Sequence, residues 1–141
     1  QYSSVPIVLH VSLPYILHGQ RIKDAIQALQ AKAVDGFNFN GGLANFQRLD
    51  HIAHAAGLPC WHGSEIDLGI LEAMYLHSSA AAASCVWPGD IFGRMIREHD
   101  LLKTSLKFEP PFAFLPEGNG LGVEPDEAAI AHYQVDKKEF E

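Results

Sequence analysis

Apolar and polar positions along the chain alternate between two rhythms. Val5-Pro6-Ile7-Val8-Leu9-His10-Val11 is a continuous β-branched apolar run, as expected of a strand buried on both faces, and Pro14 ends it. Over residues 20–33 the period becomes helical: Ile22, Ala25, Ile26, Leu29 and Ala33 share a face, with Arg21, Lys23, Gln27 and Gln30 largely off it. Residues 34–40 give a second strand. Gly41-Gly42 gives a tight turn, and residues 43–56 a second helix with Leu43, Phe46, Leu49, Ile52, Ala53 and Ala56 inward. Gly57 and Pro59 mark a helix stop, and residues 58–61 form a run too short for anything but a strand. A third helix is predicted over residues 65–83, with Ile66, Ile70, Met74 and His77 at helical spacing and an alanine-rich end. Residues 84–87 predict a fourth short strand ended by Pro88-Gly89, and residues 90–98 a last short helix.

This order, βαβαβαβα with roughly 25–30 residues per unit, signals parallel strands joined by right-handed crossovers. After Asp100 the character changes. Residues 106–108 and 112–115 read as two strands around Pro110-Pro111, residues 116–122 as a glycine-rich turn, and residues 126–133 as a terminal helix capped by Asp126. The expected division is a half-barrel of four βα units over residues 1–100 and a C-terminal extension over 101–141.

The composition is that of a packed globular chain, 48% apolar and 19% charged over 141 residues. Net charge is −7, from 10 basic and 17 acidic residues, with no basic run, which excludes a nucleic-acid or anionic-membrane surface as the expected partner. No apolar run approaches the roughly 20 residues that span a bilayer. Gln1-Tyr2-Ser3-Ser4 has no signal-peptide character and no initiator Met precedes it, so the chain is expected to be processed or cut from something longer. Its two cysteines, Cys60 and Cys85, fit a reduced, cytoplasmic setting.

Candidate chemistry gathers at one place. His62, Ser64, Glu65 and Asp67 crowd the end of the third strand, and in α/β folds the carboxyl ends of strands are where ligands bind. Ser64 with Asp67 three residues on resembles a capping box.

Several stretches in order resemble one family. Asp35-Gly36-Phe37-Asn38-Phe39-Asn40-Gly41-Gly42-Leu43 resembles the sixth barrel strand and its turn in the mandelate racemase/muconate-lactonizing branch of the enolase superfamily. Ala55-Ala56-Gly57-Leu58-Pro59 is similar to the segment before that family's seventh strand. Gly63-Ser64, Gly69-Ile70 and Leu76-His77 resemble its seventh βα unit. Gly120-Leu121-Gly122-Val123-Glu124 with Asp126-Glu127 resembles its C-terminal signature.

The resemblance implies the C-terminal half of a (β/α)8 TIM-type barrel, strands five to eight, with a tail that packs on a capping domain. It implies proton abstraction alpha to a carboxylate, with the enediolate held on Mg²⁺. The reaction would be of racemase, cycloisomerase or acid-sugar dehydratase type, on a small carboxylic acid. Two of the three metal carboxylates, and a catalytic lysine pair, would lie upstream of Gln1. The sequence departs from the pattern in three places. Val11, beside His10, stands where the third metal carboxylate is expected. Asn38 and Asn40 stand in place of a lysine at strand six. Asp35 lies at the wrong end of that strand for a His–Asp dyad. These departures count against Mg²⁺ binding by this chain alone, so it is expected to be inactive alone and to associate as a homo-oligomer or with a complementing half. The alternative is a non-catalytic half-barrel assembly module.

Within that frame the catalytic candidates are His62, Glu65 and Asp90, and the substrate-binding candidates are Asn38, Asn40 and Ser64. Each has a plainer reading. His62 is an acid–base group or a polar residue bonded near a helix start. Glu65 is an acid, a base or a carboxylate at a helix N-terminus. Ser64 and Asp90 are ligand contacts or helix caps. Asn38 and Asn40 bind substrate or satisfy buried backbone. His10 and His18 read as satisfied core groups, and His51 and His54 as surface residues of one helix.

Overall fold

The computed structural model describes residues 5–11 and 21–136. His18, the start of the first predicted helix and the segment around Pro14 lie outside them. Three strands, β1 (Val8–His10), β2 (Gly36–Phe39) and β3 (Cys60–His62), form one parallel sheet in the order β1-β2-β3. Two helices pack on it in turn, α1 (Arg21–Gln30) and α2 (Leu43–Ala55), and α3 (Gly69–Ala81) follows β3. The strands are shorter than the apolar runs that predict them because the flanking residues lie beyond the paired register.

The register fixes which side chains face the helices. Leu9 pairs with Phe37, Phe37 with Cys60, and Phe39 with His62. Phe37 and Phe39 stack at 4.9 Å and, with Val11, Ala25, Phe46, Leu49, Ala53 and Cys60, make the buried core between sheet and helices. Burial of these side chains drives the fold. Ile26 and Leu43, expected inward, stand 40% and 44% exposed. The third helix departs further. Its predicted stripe, Ile66, Ile70, Met74 and His77, is not its buried face. That face is Gly69, Glu72, Ala73, Tyr75 and Ser78, because Leu102 packs against Gly69 and Arg94 against Glu72.

The expected fourth strand and last helix do not form. Residues 84–87 make a single parallel bridge, Cys60 with Cys85. The Val86 amide folds back on the Ser84 carbonyl at 2.9 Å, while the Ser84 amide and hydroxyl both go to the Asp50 carboxylate. Residues 90–98 hold only a 3-10 turn, Gly93–Met95. Asp90 bonds Ser64 rather than a helix start, and the Arg94 amide bonds Glu72 Oε1 at 2.9 Å. Nonlocal partners take the groups a helix would need.

Beyond residue 100 the chain packs back on α3. The Gly69 amide donates to the Asp100 carbonyl, Leu102 is buried where a Cβ on Gly69 would come within 2.6 Å of it, and His77 Nε2 meets the Leu121 carbonyl at 3.2 Å. Strands β4 (Phe108–Glu109) and β5 (Phe112–Ala113) form an antiparallel pair. Helix α4 (Glu127–Tyr133) is capped by Asp126, which accepts from the amides of Ala128 and Ala129 at 3.0 Å. Among the described residues no helix is long and apolar enough to cross a membrane.

Candidate active-site corner

Strand alternation separates the candidates onto two faces. Asn38 pairs with Trp61 and His10 with Asn38, so these lie on the face away from the helices. There Trp61 and Trp87 lie 5.9 Å apart, and Trp87 covers Gly36, where any Cβ would collide with its ring. Asn38 is buried against Gly63, its Oδ1 without a hydrogen-bond partner among the described residues. Asn40, just past β2, is also buried. His10 is half-buried, and His51 and His54 are exposed on α2.

His62 is on the opposite, helix-facing side. Its ring lies 4.1 Å from Phe46 and 4.1 Å from Tyr75, with no exposed surface. Nδ1 bonds the Gly63 carbonyl at 2.9 Å, which requires the proton on that nitrogen. Nε2 has no partner among the described residues. Burial lowers its pKa to about 4, against the opposing pull of the Gly63 carbonyl and of Asp67 and Asp90. At neutral pH the ring is therefore uncharged.

Between β3 and α3 the chain makes a corner, not a capped helix start. Ser64 Oγ donates to Asp67 Oδ2 at 2.7 Å and accepts from the Ile66 amide at 3.1 Å. The Glu65 amide donates to both Asp67 oxygens, at 3.1 and 3.2 Å. Ile66 takes a φ of 64°, and the helix begins only after Leu68, which offers no side-chain cap. The cap readings of Ser64, Glu65 and Asp90 thus give way to a closed loop built on the buried Asp67. Asp90 joins it from the far side, accepting from the Ser64 amide at 3.2 Å. Arg97 holds the outer edge through the carbonyls of Ile66 and Asp67, and Gly93 presses so closely on Asp67 that a Cβ would overlap its backbone.

Glu65 is the one corner carboxylate with a free, sheltered oxygen. Tyr75 Oη donates to its Oε2 at 3.3 Å, while Oε1 is buried with no partner among the described residues. Burial, and the charges of Asp67 and Glu65, push the Tyr75 hydroxyl upward, so it stays a donor. The structure therefore brings Ser64, Glu65 and Asp90 together, sets Asn38 behind Gly63 on the other face, and places His62 against Tyr75, whose hydroxyl donates to Glu65. Tyr75, Trp87 and Arg97 went unread in the sequence. Tyr75 looks like one more core position of a helix, and Arg97 has no local signal.

A metal centre does not fit these residues. No group of three or more His, Cys, Asp or Glu side chains is placed to hold an ion among the described residues. Val11, at the position expected of a ligand, is buried in the core.

Three parallel strands with helices packed on them, and a polar corner at a strand's carboxyl end, make a mixed α/β arrangement. The chain belongs to the Enolase C-terminal domain-like family, which it matches over residues 17–129, and so to the mandelate racemase/muconate-lactonizing branch of the enolase superfamily. It is 29% identical over 116 residues to a chloromuconate cycloisomerase of Cupriavidus necator, across 79% of this chain and 31% of that protein. It is 30% identical over 111 residues to muconate cycloisomerase 1 of Rhodococcus opacus, across 76% and 30%. The chain thus spans about a third of the length of the curated relatives it matches. Among solved structures, the muconate cycloisomerase of Pseudomonas fluorescens superposes with a TM-score of 0.82 at 22% identity, over 95% of this chain and 37% of that one. An N-succinyl Arg/Lys racemase of Bacillus cereus gives 0.82 at 21% identity, over 96% and 35%.

Proposed function

We propose that this chain is the half of a (β/α)8-type barrel that carries strands five to eight, with residues 1–100 as its βα units and 101–141 as an extension. In the complete barrel it serves removal of the proton alpha to the carboxylate of a small acid, in a racemase, cycloisomerase or dehydratase. The observation that carries this reading is the corner. Glu65 offers a sheltered carboxylate oxygen while its other oxygen is held by Tyr75, and Asp90 is fixed beside it through the Ser64 amide. An alpha proton is weakly acidic, so a base must be positioned and water kept out. Glu65 is the group that takes or returns the proton. Asp90 and Ser64 contact the acid or its developing charge, with Asn38 and Asn40 as further substrate contacts. His62 acts at one remove, fixing the Gly63 carbonyl and so the start of the corner.

This chain alone is inactive in the proposal, since its described residues supply no metal cradle. Deuterium wash-in at the alpha carbon of muconolactone tests both parts. The isolated chain with a divalent ion stays at the buffer rate, and exchange by it overturns the claim of inactivity. A chimera joining this chain to the capping domain and first four strands of the Pseudomonas fluorescens muconate cycloisomerase exchanges. In that chimera E65Q and D90N each slow exchange by roughly a hundredfold. An active chimera indifferent to both overturns the assignment.

A second reading is a non-catalytic assembly module that dimerises or complements another chain. It is favoured by Val11 at the position where the family resemblance calls for a ligand. A homodimer by size-exclusion mass, with no heat of divalent-ion binding, supports the module.

A further inference from the structure

We infer that Cys60 and Cys85 are a reversible oxidation site, a dithiol that closes to a disulfide across the β3 edge when a hydroperoxide is present. The two residues are register partners of the one parallel bridge joining β3 to the segment after α3. Flanking bonds fix that bridge: the Cys60 amide donates to the Ser84 carbonyl at 2.8 Å and the Trp87 amide to the Cys60 carbonyl at 3.3 Å. Partners on neighbouring strands lie roughly 4.8 Å apart and point to the same side, within the roughly 4.4–6.8 Å between Cα atoms that a disulfide spans. Both thiols are free.

The two thiols divide the work. Cys60 is fully buried, its Sγ 3.3 Å from the Ser84 hydroxyl, and contact with Cys85 and burial push its pKa up. Cys85 is half-buried. A hydrogen bond from Cys60, aided by the Ser79 hydroxyl and the His62 amide and opposed by burial, lowers its pKa to about 7. Cys85, the less buried of the two, is thus the thiol that reacts first, and Cys60 the enclosed thiol that resolves it.

The Cys85 thiolate attacks one peroxide oxygen. The O–O bond breaks, Cys85 becomes a sulfenic acid, and the departing hydroxide leaves as water after taking a proton. The Cys60 sulfur then attacks the Cys85 sulfur. The S–O bond breaks, the S–S bond forms, and the second oxygen leaves as water with the Cys60 proton. Two thiols lose two electrons and one peroxide gains them. The bond closes a loop holding Ser64, Glu65, Asp67 and all of α3, and ties β3 to the chain that carries Trp87 and leads to Asp90. The inference does not depend on the proposed activity.

Stoichiometric hydrogen peroxide added to the reduced full chain tests it. Both thiols are expected to disappear together, the intact mass to fall by two hydrogens, and a digest to yield the Cys60 and Cys85 peptides joined within one chain, with dithiothreitol reversing all three. C60S is expected to stop at a Cys85 sulfenic acid that dimedone traps, and C85S to react at least about tenfold more slowly. Peptide mapping of the unmutated chain decides the matter even where a variant fails to fold. Thiols that persist, Cys85 oxidised beyond sulfenic acid with Cys60 still free, or a cross-link between two chains would each overturn it.

Discussion

The Ser64 amide donates to the Asp90 carboxylate at 3.2 Å across 26 residues of chain. That bond joins the loop after β3 to the segment that follows the bridge at Cys85, so two of the corner's acidic groups, Glu65 and Asp90, are positioned by different stretches of sequence. The spacing on the Asn38 side of the corner is set by a glycine. A Cβ at Gly63 would overlap Asn38 Oδ1, and Asn38 is buried. Gly63→Ala is therefore expected to cost about 1–3 kcal/mol through overpacking. Removing the obstacle in the double variant G63A/N38A recovers most of the loss. Urea denaturation of the two singles and the double measures this coupling, and additive losses would refute it.

The buried His62 makes stability depend on pH. Its pKa falls from 6.5 to about 4 on folding, so protons bind the unfolded chain first. The contribution is whole above pH 6.5 and is lost as pH falls from there toward 4, by about 2 kcal/mol at pH 5 and about 3 in all. His62→Phe keeps the stack on Phe46 and Tyr75 and removes the titration. Denaturation at pH 7 and pH 5 is expected to show a steeper loss in the unmutated chain than in the variant. Equal slopes would show that His62 is not held neutral.

Asp50 holds the return of the chain from α3. Its carboxylate, almost fully buried, accepts from the Ser84 amide at 2.9 Å, the Ala83 amide at 3.2 Å and the Ser84 hydroxyl. Asp50→Ala strands three donors and is expected to cost about 3 kcal/mol or more. Asp50→Asn keeps one acceptor oxygen and costs less. The order of the denaturation midpoints, unmutated chain above D50N above D50A, checks it.

How legible this was in the sequence depends on where each group finds its partner. β2 and α2 were readable because local apolar spacing is satisfied by the nearest layer: Phe37, Phe39, Phe46 and Leu49 are buried as the pattern requires. The crowding of Ser64, Glu65 and Asp67 pointed to the corner. Its form did not show, because Ser64 and Asp67 bond each other in place of a helix end. The fourth strand and last helix failed for the same reason on a longer scale. Ser84 answers to Asp50, Arg94 to Glu72 and Asp90 to Ser64, and no window of neighbouring residues contains those pairs. The face His62 presents follows from its pairing with Phe39, and a one-residue shift of register would have reversed it.

Asp126 tests a local signal in the tail that the structure bears out. Its side chain accepts from the amides of Ala128 and Ala129 at 3.0 Å, at the start of a helix only seven residues long. So short a helix has little propensity of its own, and none of its residues is fully buried. The cap is then a large share of what holds it. Asp126→Ala is expected to remove about 1 kcal/mol and to speed hydrogen exchange at the α4 amides. The α2 amides, which belong to the buried core, should keep their protection. Asp126→Ser restores an acceptor and most of the protection. If D126A leaves exchange in α4 unchanged, the contacts of His99 with Tyr133, 5.9 Å between ring centres, and of the Asp126 amide with the Leu101 carbonyl hold the helix without its cap.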